Sequence, residues 1–423
     1  MSLAAEFSCQ NDYDPNSLSV DRARQLILSQ LSPIGARERV ALRSALGRVL
    51  AEDVIAPCNV PAHDNSAMDG FAVRFADLAS AGTSRLKVVG VALAGNAFDG
   101  RVGAGECVRI MTGAVLPPDT DAVVIQEVVQ TEGDFVVVPA GQRLGQNIRR
   151  AGEDLALGKP ALAAGKLVRP AELGLMASLG FAEVSVKRRL RVAFFSTGDE
   201  LCSIGSPLAE GEVYDSNRYT LFGMLTRLGC EVIDMGVVRD DPALLEAAFR
   251  EAATNADVVI TSGGVSVGEA DFVKQLMAQM GEVLFWKIAM KPGRPMAFGR
   301  IGEGPHTAWL FGLPGNPVAV MATFYQFVRD ALYTLMGASP IPAVPSLTAT
   351  CATALKKFPG RTEFQRGTLA LEGGQWQVRP TGAQGSGILR SMSDANCLIV
   401  LEQDRGNVAA GEGVQVQLFD GLV

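Results

Sequence analysis

Histidine is almost missing from this 423-residue chain, which has only His63 and His306. A site built on several histidines, the usual home of zinc or non-haem iron, is therefore excluded. Any metal would be held by carboxylate and phosphate oxygens, which suit Mg²⁺. Paired cysteines are missing too: the seven are scattered, odd in number and never spaced Cys-x-x-Cys. Neither a disulfide framework nor a zinc ribbon follows from that spacing, and a reducing cytoplasm is the expected setting. Excess positive charge is absent, with 38 Lys+Arg against 45 Asp+Glu and a net charge of −7. Such a balance argues against nucleic acid as partner and makes any anion site local. No uninterrupted apolar run is long enough for a membrane span, because Pro314-Gly315-Asn316-Pro317 breaks the uncharged stretch from Pro305 to Val328. The opening Met1-Ser2-Leu3-Ala4-Ala5-Glu6-Phe7 lacks the basic and apolar regions of a signal peptide.

The length calls for roughly two to four domains. Apolar spacing at Val20, Ala23, Ile27, Leu28 and Leu31 predicts a helix capped by Ser19, and 40–50 reads as a second helical run. From about Pro57 to Asn147, β-branched segments alternate with Gly, Pro and Asp turns, which predicts a small β domain with strands near 85–93, 106–111, 122–130 and 135–139. Helix returns across 146–186, notably at 170–179 before Gly180. Beyond Arg189, apolar strands alternate with amphipathic helices, the pattern of a parallel, doubly wound sheet whose ligands lie at the strand C-terminal ends. A stiff linker with Pro340, Pro342 and Pro345 leads to a last β barrel or sandwich.

The strand ends of that α/β region carry the chemistry. Thr261-Ser262-Gly263-Gly264-Val265-Ser266-Val267-Gly268 follows one strand, and Leu313-Pro314-Gly315-Asn316-Pro317 follows another. Glycine turns that open helices aim successive N–H groups at one point and bind anions, with Ser262 and Ser266 adding hydroxyls. No Gly-Lys-Ser/Thr follows Gly268, so this is not a Walker loop, and the Gly-x-Gly-x-x-Gly order of a dinucleotide fold is missing. Asn316 as cap and Pro317 at the first helical position also explain the second turn structurally. Asp199, Glu200, Asp215, Asp240, Glu269 and Asp271 all fall after strands or at helix starts, more acids than caps require. Glu200, Asp240 and Asp271 are the candidates for handling metal, proton or ligand, whereas Asp241 before Pro242 reads as a cap. Lys287, Lys291 and Arg294 leave a strand toward the same mouth and would pair with anions.

These segments resemble the MoeA family, the molybdopterin molybdenumtransferases, and are similar to the E domain of gephyrin. The likeness extends to Asp64-Asn65-Ser66-Ala67-Met68-Asp69-Gly70, Arg109-Ile110-Met111-Thr112-Gly113, the 146–154 segment, Ser196-Thr197-Gly198-Asp199-Glu200, Phe364-Gln365-Arg366-Gly367 and Gln384-Gly385-Ser386. It spans nearly the whole chain. The resemblance implies an α/β multidomain protein: a doubly wound, MogA-like domain over 188–338, an elongated helical domain from 17–57 and 147–187, an inserted β domain over 58–146, and a β domain over 339–423. It implies a homodimer that takes adenylylated molybdopterin and molybdate, hydrolyses the pyrophosphate bond with Mg²⁺, releases AMP and inserts molybdenum. It also implies contact with the molybdopterin adenylyltransferase. Lys287 and Lys291 carry over as cleft residues, Arg366 and Ser386 likewise, and Asp69, Thr112 and Asp154 become site candidates. Two other readings fit parts of the sequence, a nucleotide hydrolase or adenylyltransferase on the α/β domain and a scaffold that does not turn over. Because the dithiolene sulfurs belong to the substrate, Cys202 and Cys230 read as packing.

Overall fold

The computed structural model describes residues 17–264, 276–277, 279–304 and 306–422. Ser19 caps the first helix, Val20–Gln30, by accepting the Arg22 N–H on its hydroxyl at 3.3 Å. Ala23 and Ile27 are fully buried on its inner face, in one apolar cluster with Phe324, Phe327 and Leu335 of a later helix. The expected second helical run is not a helix. Arg37–Ala41 is a strand paired antiparallel with Glu183–Lys187, followed by a single 3-10 turn, Leu42–Ala45. Its partner lies more than 140 residues away in sequence, and local propensity does not report such a pairing. The region 146–186 likewise holds one helix, Pro170–Ser178, with proline in its first turn; Gly180 follows at φ 81°. Outside that helix lie turns and three short strands, of which Pro160–Leu162 pairs with Val54–Ile55. The two segments expected to be helical are thus a mixture of helix and strand.

The β region forms a six-stranded sheet in the order 122–125, 70–73, 106–110, 83–92, 135–139, 130–132. Alternate residues supply two apolar clusters: Phe71 and Val73 enter one, Ala72 the other. That is the period of two of a strand covered on both faces.

The α/β sheet runs in the order Glu231–Val238, Arg191–Thr197, Val258–Ser262, His306–Leu313, Pro295–Glu303, Gly281–Lys287. Helices cover both faces. Val192 and Phe194 pack with Leu221 and Leu225 of helix Ser216–Arg227, whereas Ala193 and Phe195 pack with Leu245 and Phe249 of helix Pro242–Asn255. The sheet is mixed rather than parallel throughout: the first four strands are parallel, and Pro295–Glu303 pairs antiparallel with both its neighbours. Glycines at 299, 302 and 304 disguise this strand in the sequence. Gly299 is required where it stands, because a Cβ there would lie 2.1 Å from the Glu282 carbonyl oxygen across the ladder.

The last region closes into a barrel. Thr362–Glu372 pairs with Gln375–Pro380 and with Cys397–Leu401, and Ser346–Cys351 and Gly413–Leu418 complete the ring. Arg329, 2% exposed, ties the C-terminal segment to the α/β region. It donates to the carbonyls of Leu422 at 2.8 Å, Gly421 at 3.0 Å and Pro342 at 2.9 Å, and to Asp330 at 2.6 Å. Replacing it by leucine leaves these buried acceptors without donors, a loss of roughly 2–3 kcal/mol. Arg329→Leu is therefore expected to melt several degrees below the parent in a thermal scan, and Arg329→Lys to recover little, since an ammonium lacks the planar fork.

Candidate functional site

Three parallel strands stop at one level, with Ser196 in register with Ser262 and Ser262 with Leu313. Beyond them the two glycine turns lie against each other. Gly263 stands at φ 95° and Gly264 at φ 67°. A Cβ on Gly263 would lie 2.5 Å from the Thr197 carbonyl oxygen, and one on Gly315 would lie 3.9 Å from the Gly263 Cα. Only glycine permits both the left-handed backbone and this approach at 263. Asn217, in the first turn of helix Ser216–Arg227, clips the turns together: its Nδ2 donates to the Gly315 carbonyl at 2.6 Å and to the Ser262 hydroxyl at 3.2 Å. Ser262 in turn donates to the Ser196 hydroxyl at 3.3 Å. The Gly263 N–H is spent on the Leu313 carbonyl at 3.1 Å.

Asp215 caps this helix through Oδ1, which accepts the Arg218 N–H at 3.1 Å. Its Oδ2, together with Asn217 Oδ1, Thr197 Oγ1 and Thr261 Oγ1, is buried without a partner among the described residues. Buried polar atoms are rarely left so, and four around one strand edge mark a place for water or for ligand groups that can donate to the Asp215 and Asn217 oxygens. Sequence reasoning kept Asp215 among the acids without assigning it to the site and passed over Asn217. The available signal was Asp215-Ser216-Asn217 at a helix start directly after Val213-Tyr214.

The other acids line the same edge. The Asp240 N–H reaches Asp199 Oδ1 at 3.4 Å, and Glu200 and Asp240 are both exposed. The Glu200 carboxylate folds back over Gly198, where a Cβ would lie 2.5 Å from its Oε2. Asp241 is a cap, accepting from Ala243 at 2.9 Å and Leu244 at 3.0 Å. Ser266, Gly268 and Asp271 lie outside the described residues. Among the described residues no three His, Cys, Asp or Glu side chains make a metal cage. An ion at this edge would take part of its shell from elsewhere, and the donors at hand are hard oxygens that fit Mg²⁺ in kind.

The basic segment is fixed from several sides. The Lys287 carbonyl accepts from Leu18 at 3.1 Å, the Ile288 N–H donates to Arg294 at 2.8 Å, and the Thr362 N–H donates to Ala289 at 2.8 Å. Met290–Lys291 pairs with Thr362–Glu363 of the barrel. Gly293, at φ 100°, lets the chain press on the helix beginning at Pro317: a Cβ there would lie 2.4 Å from Thr323 Oγ1. Lys287 and Arg294 are half-buried, and Lys291 is exposed with its Nζ 3.5 Å from Glu363 Oε1. Arg366 does not face solvent. It is 1% exposed, and burial lowers its pKa to about 10. It donates to Ser391 Oγ at 2.9 Å and the Gly385 carbonyl at 3.0 Å. The loop it holds brings the Ser386 carbonyl to the Val318 N–H at 3.0 Å, at the head of the second turn beside Pro314, Gly315, Asn316 and Pro317. Ser386 thus joins the strand-end cluster, with Arg366 behind it. Burial also raises the Cys230 thiol to about 12, which suits a packing role.

Asp69 and Thr112 meet elsewhere, at the ends of the 70–73 and 106–110 strands, whereas Asp154 stands on the loop that pairs with Val60. Asp69 Oδ1 accepts the Thr112 N–H at 2.7 Å and hydroxyl at 2.8 Å. Asp154 is exposed and donates its N–H to Val60 at 3.1 Å. Asp64 braces the same turn against Arg150 at 2.6 Å and the Ala151 N–H at 2.8 Å.

Comparison with known proteins gives three consecutive family matches: "MoeA N-terminal region (domain I and II)" over 18–180, "Probable molybdopterin binding domain" over 193–334 and "MoeA C-terminal region (domain IV)" over 348–419. The chain is 47% identical to the molybdopterin molybdenumtransferase of Haemophilus influenzae over 96% of its own length and 100% of the relative's. It is 38% identical to molybdopterin molybdenumtransferase 2 of Mycobacterium tuberculosis over 89% of this chain and 94% of that one. Among solved structures, the molybdopterin biosynthesis moeA protein of Pyrococcus horikoshii superposes with a TM-score of 0.82 at 30% identity, covering 95% of this chain and 100% of that one.

The Asp69 geometry makes a prediction about titration. The Thr112 N–H, then its hydroxyl, hold the Asp69 carboxyl below its ordinary value. A carboxylate so lowered contributes stability that is present above its unfolded pKa and lost as pH falls through the folded one. Thr112→Val removes the hydroxyl but keeps the amide, so the Asp69 pKa should rise part of the way back. Carboxyl ¹³C NMR titration reads this directly; an unmoved titration would show that the hydroxyl contributes nothing.

Proposed function

The chain belongs to the MoeA family and is a molybdopterin molybdenumtransferase of molybdenum cofactor biosynthesis; from that premise we propose how its residues divide the work. The carrying observation is the pair of glycine turns, 262–264 and 313–317, clipped together by Asn217 at the ends of adjoining parallel strands. Adenylylated molybdopterin lays its phosphates on this cradle. The Gly264, Gly315 and Asn316 amides supply donors, and Ser266 and Gly268, outside the described residues, are assigned to the same phosphates. The N-terminal end of that helix adds a favourable field for the anion. Ser386 and Asn316 close the side toward the barrel. Lys287, Lys291 and Arg294 meet molybdate, where charge-assisted hydrogen bonds orient the oxyanion beside the dithiolene.

Glu200, Asp240 and Asp271 would hold Mg²⁺ with substrate phosphate oxygens, and the ion would offset phosphate charge during hydrolysis. The same acids position a water for attack on the pyrophosphate bond. AMP departs, and the sulfurs that receive molybdenum are the substrate's own. We assign 17–57 with 147–187, 58–146, 188–338 and 339–423 to separate domains of a homodimer. The 58–146 unit of one subunit lies over the 188–338 unit of its partner, so that Asp69, Thr112 and Asp154 complete the partner's cleft. Substrate comes from the molybdopterin adenylyltransferase in the cytoplasm. No helix among the described residues is long and apolar enough to cross a membrane.

Purified protein supplied with adenylylated molybdopterin, Mg²⁺ and molybdate should release AMP and form active cofactor. Exhaustive chelation should stop AMP release and added Mg²⁺ restore it; full activity after chelation would remove the three acids from a metal role. The shared cleft is tested by complementation. Assayed at limiting molybdate, Asp69→Asn and Lys291→Ala homodimers should each turn over far more slowly than the parent, and mixed dimers should regain the rate of one intact cleft, because both defects fall in one of the two clefts. Mixed dimers verified by mass spectrometry that stay inactive would place both residues in a cleft built from one chain.

A further inference from the structure

Glu363 is a carboxylate with an unusual address. It sits in the first residues of the barrel strand Thr362–Glu372 and is 5% exposed. Charged side chains are seldom buried this deeply unless paired, since desolvation of the ion must be offset. Two partners are in place. The Gln365 amide donates to Oε2 at 3.0 Å, and Lys291 Nζ stands 3.5 Å from Oε1. Lys357, a nearby cation that is 2% exposed, shares a charge attraction with Glu363 but spends its hydrogen bonds elsewhere, donating to the carbonyls of Arg405 at 2.7 Å, Gln403 at 3.2 Å and Phe358 at 3.3 Å.

The pair is asymmetric: the Glu363 side chain is 7% exposed and that of Lys291 51%. Its length exceeds the 2.7–2.9 Å typical of a saturated charge-assisted bond, so the ammonium keeps donors for a second anion. The backbone reinforces the arrangement, because Met290–Lys291 is added as a parallel ladder to Thr362–Glu363. Resting on the reading that Lys291 meets the oxyanion, we propose that Glu363, supported by Gln365, is a positioning residue. It holds the Lys291 ammonium at the cleft and so lets the C-terminal barrel set the geometry of anion binding on the α/β sheet. A lysine otherwise carries a flexible four-carbon stem whose freedom must be lost each time an anion binds.

The test measures molybdate-dependent AMP release by the full-length protein. Glu363→Gln keeps shape and the Gln365 contact but removes the charge, and should raise the apparent KM for molybdate about five- to tenfold with kcat changed less than about twofold. In the Lys291→Ala background the same change should add less than about twofold, since the two residues act through one ammonium. Should Glu363→Gln fail to fold, Glu363→Asp, which keeps the charge but withdraws it by one methylene, carries the same comparison with a smaller rise. If Lys291→Ala raises KM but Glu363→Gln leaves it unchanged, lowers it, or adds its full effect to Lys291→Ala, the positioning role is wrong while the anion role of Lys291 stands. If Lys291→Ala itself leaves KM unchanged, the anion reading fails first.

Discussion

The structure turns on the close approach of two backbones. At the ends of the 191–197 and 258–262 strands, Gly263 presses on Thr197 with no room for a Cβ, and Gly315, after the 306–313 strand, stands within van der Waals range of Gly263. Amides and carbonyls therefore line the edge where side chains would otherwise stand. Part of that polarity is spent internally, on the Asn217 clip and on the bond from Gly263 to Leu313. The side-chain oxygens Asp215 Oδ2, Asn217 Oδ1, Thr197 Oγ1 and Thr261 Oγ1 are buried there without a partner among the described residues. A cradle with fixed dipoles and unmet hydrogen-bonding capacity costs stability in the free protein and favours a polar ligand.

Around that edge the structure is built to hold rather than to move. The 287–294 segment is tied to Leu18, to the barrel at Thr362 and to the 317–323 helix through the contact at Gly293. The barrel also reaches the second glycine turn from the other side, where Arg366 organises the loop that delivers the Ser386 carbonyl. Lys291 and the second glycine turn thus depend on a region that is distant in sequence. A site supported this way loses little freedom when an anion arrives.

Much of this was legible in the sequence. The apolar strand 191–197, the proline-led helix Pro242–Asn255 and the turns at 263 and 315 announce themselves through period, caps and glycine. What escaped was non-local. The Arg37–Ala41 strand exists because of Glu183–Lys187, and the glycine-studded Pro295–Glu303 strand exists because two flanking strands complete its ladder. The site shows the same division. Arg366 read as a cleft cation because a motif carries no burial information, whereas its guanidinium is enclosed by its own loop. Asn217 went unnoticed because an asparagine in a helix's first turn is commonplace; only the position of Gly315 across the gap gives it a role.

The central claim is that the two strand-end glycine turns cradle the phosphates of adenylylated molybdopterin. A crystal structure of the protein bound to that molecule tests it most directly. The account predicts phosphate oxygens within hydrogen-bond distance of the Gly264, Gly315 and Asn316 amides, with Asn217 still bridging Ser262 and Gly315. A well-ordered ligand whose phosphates lie away from both turns, leaving that edge to solvent, would contradict it.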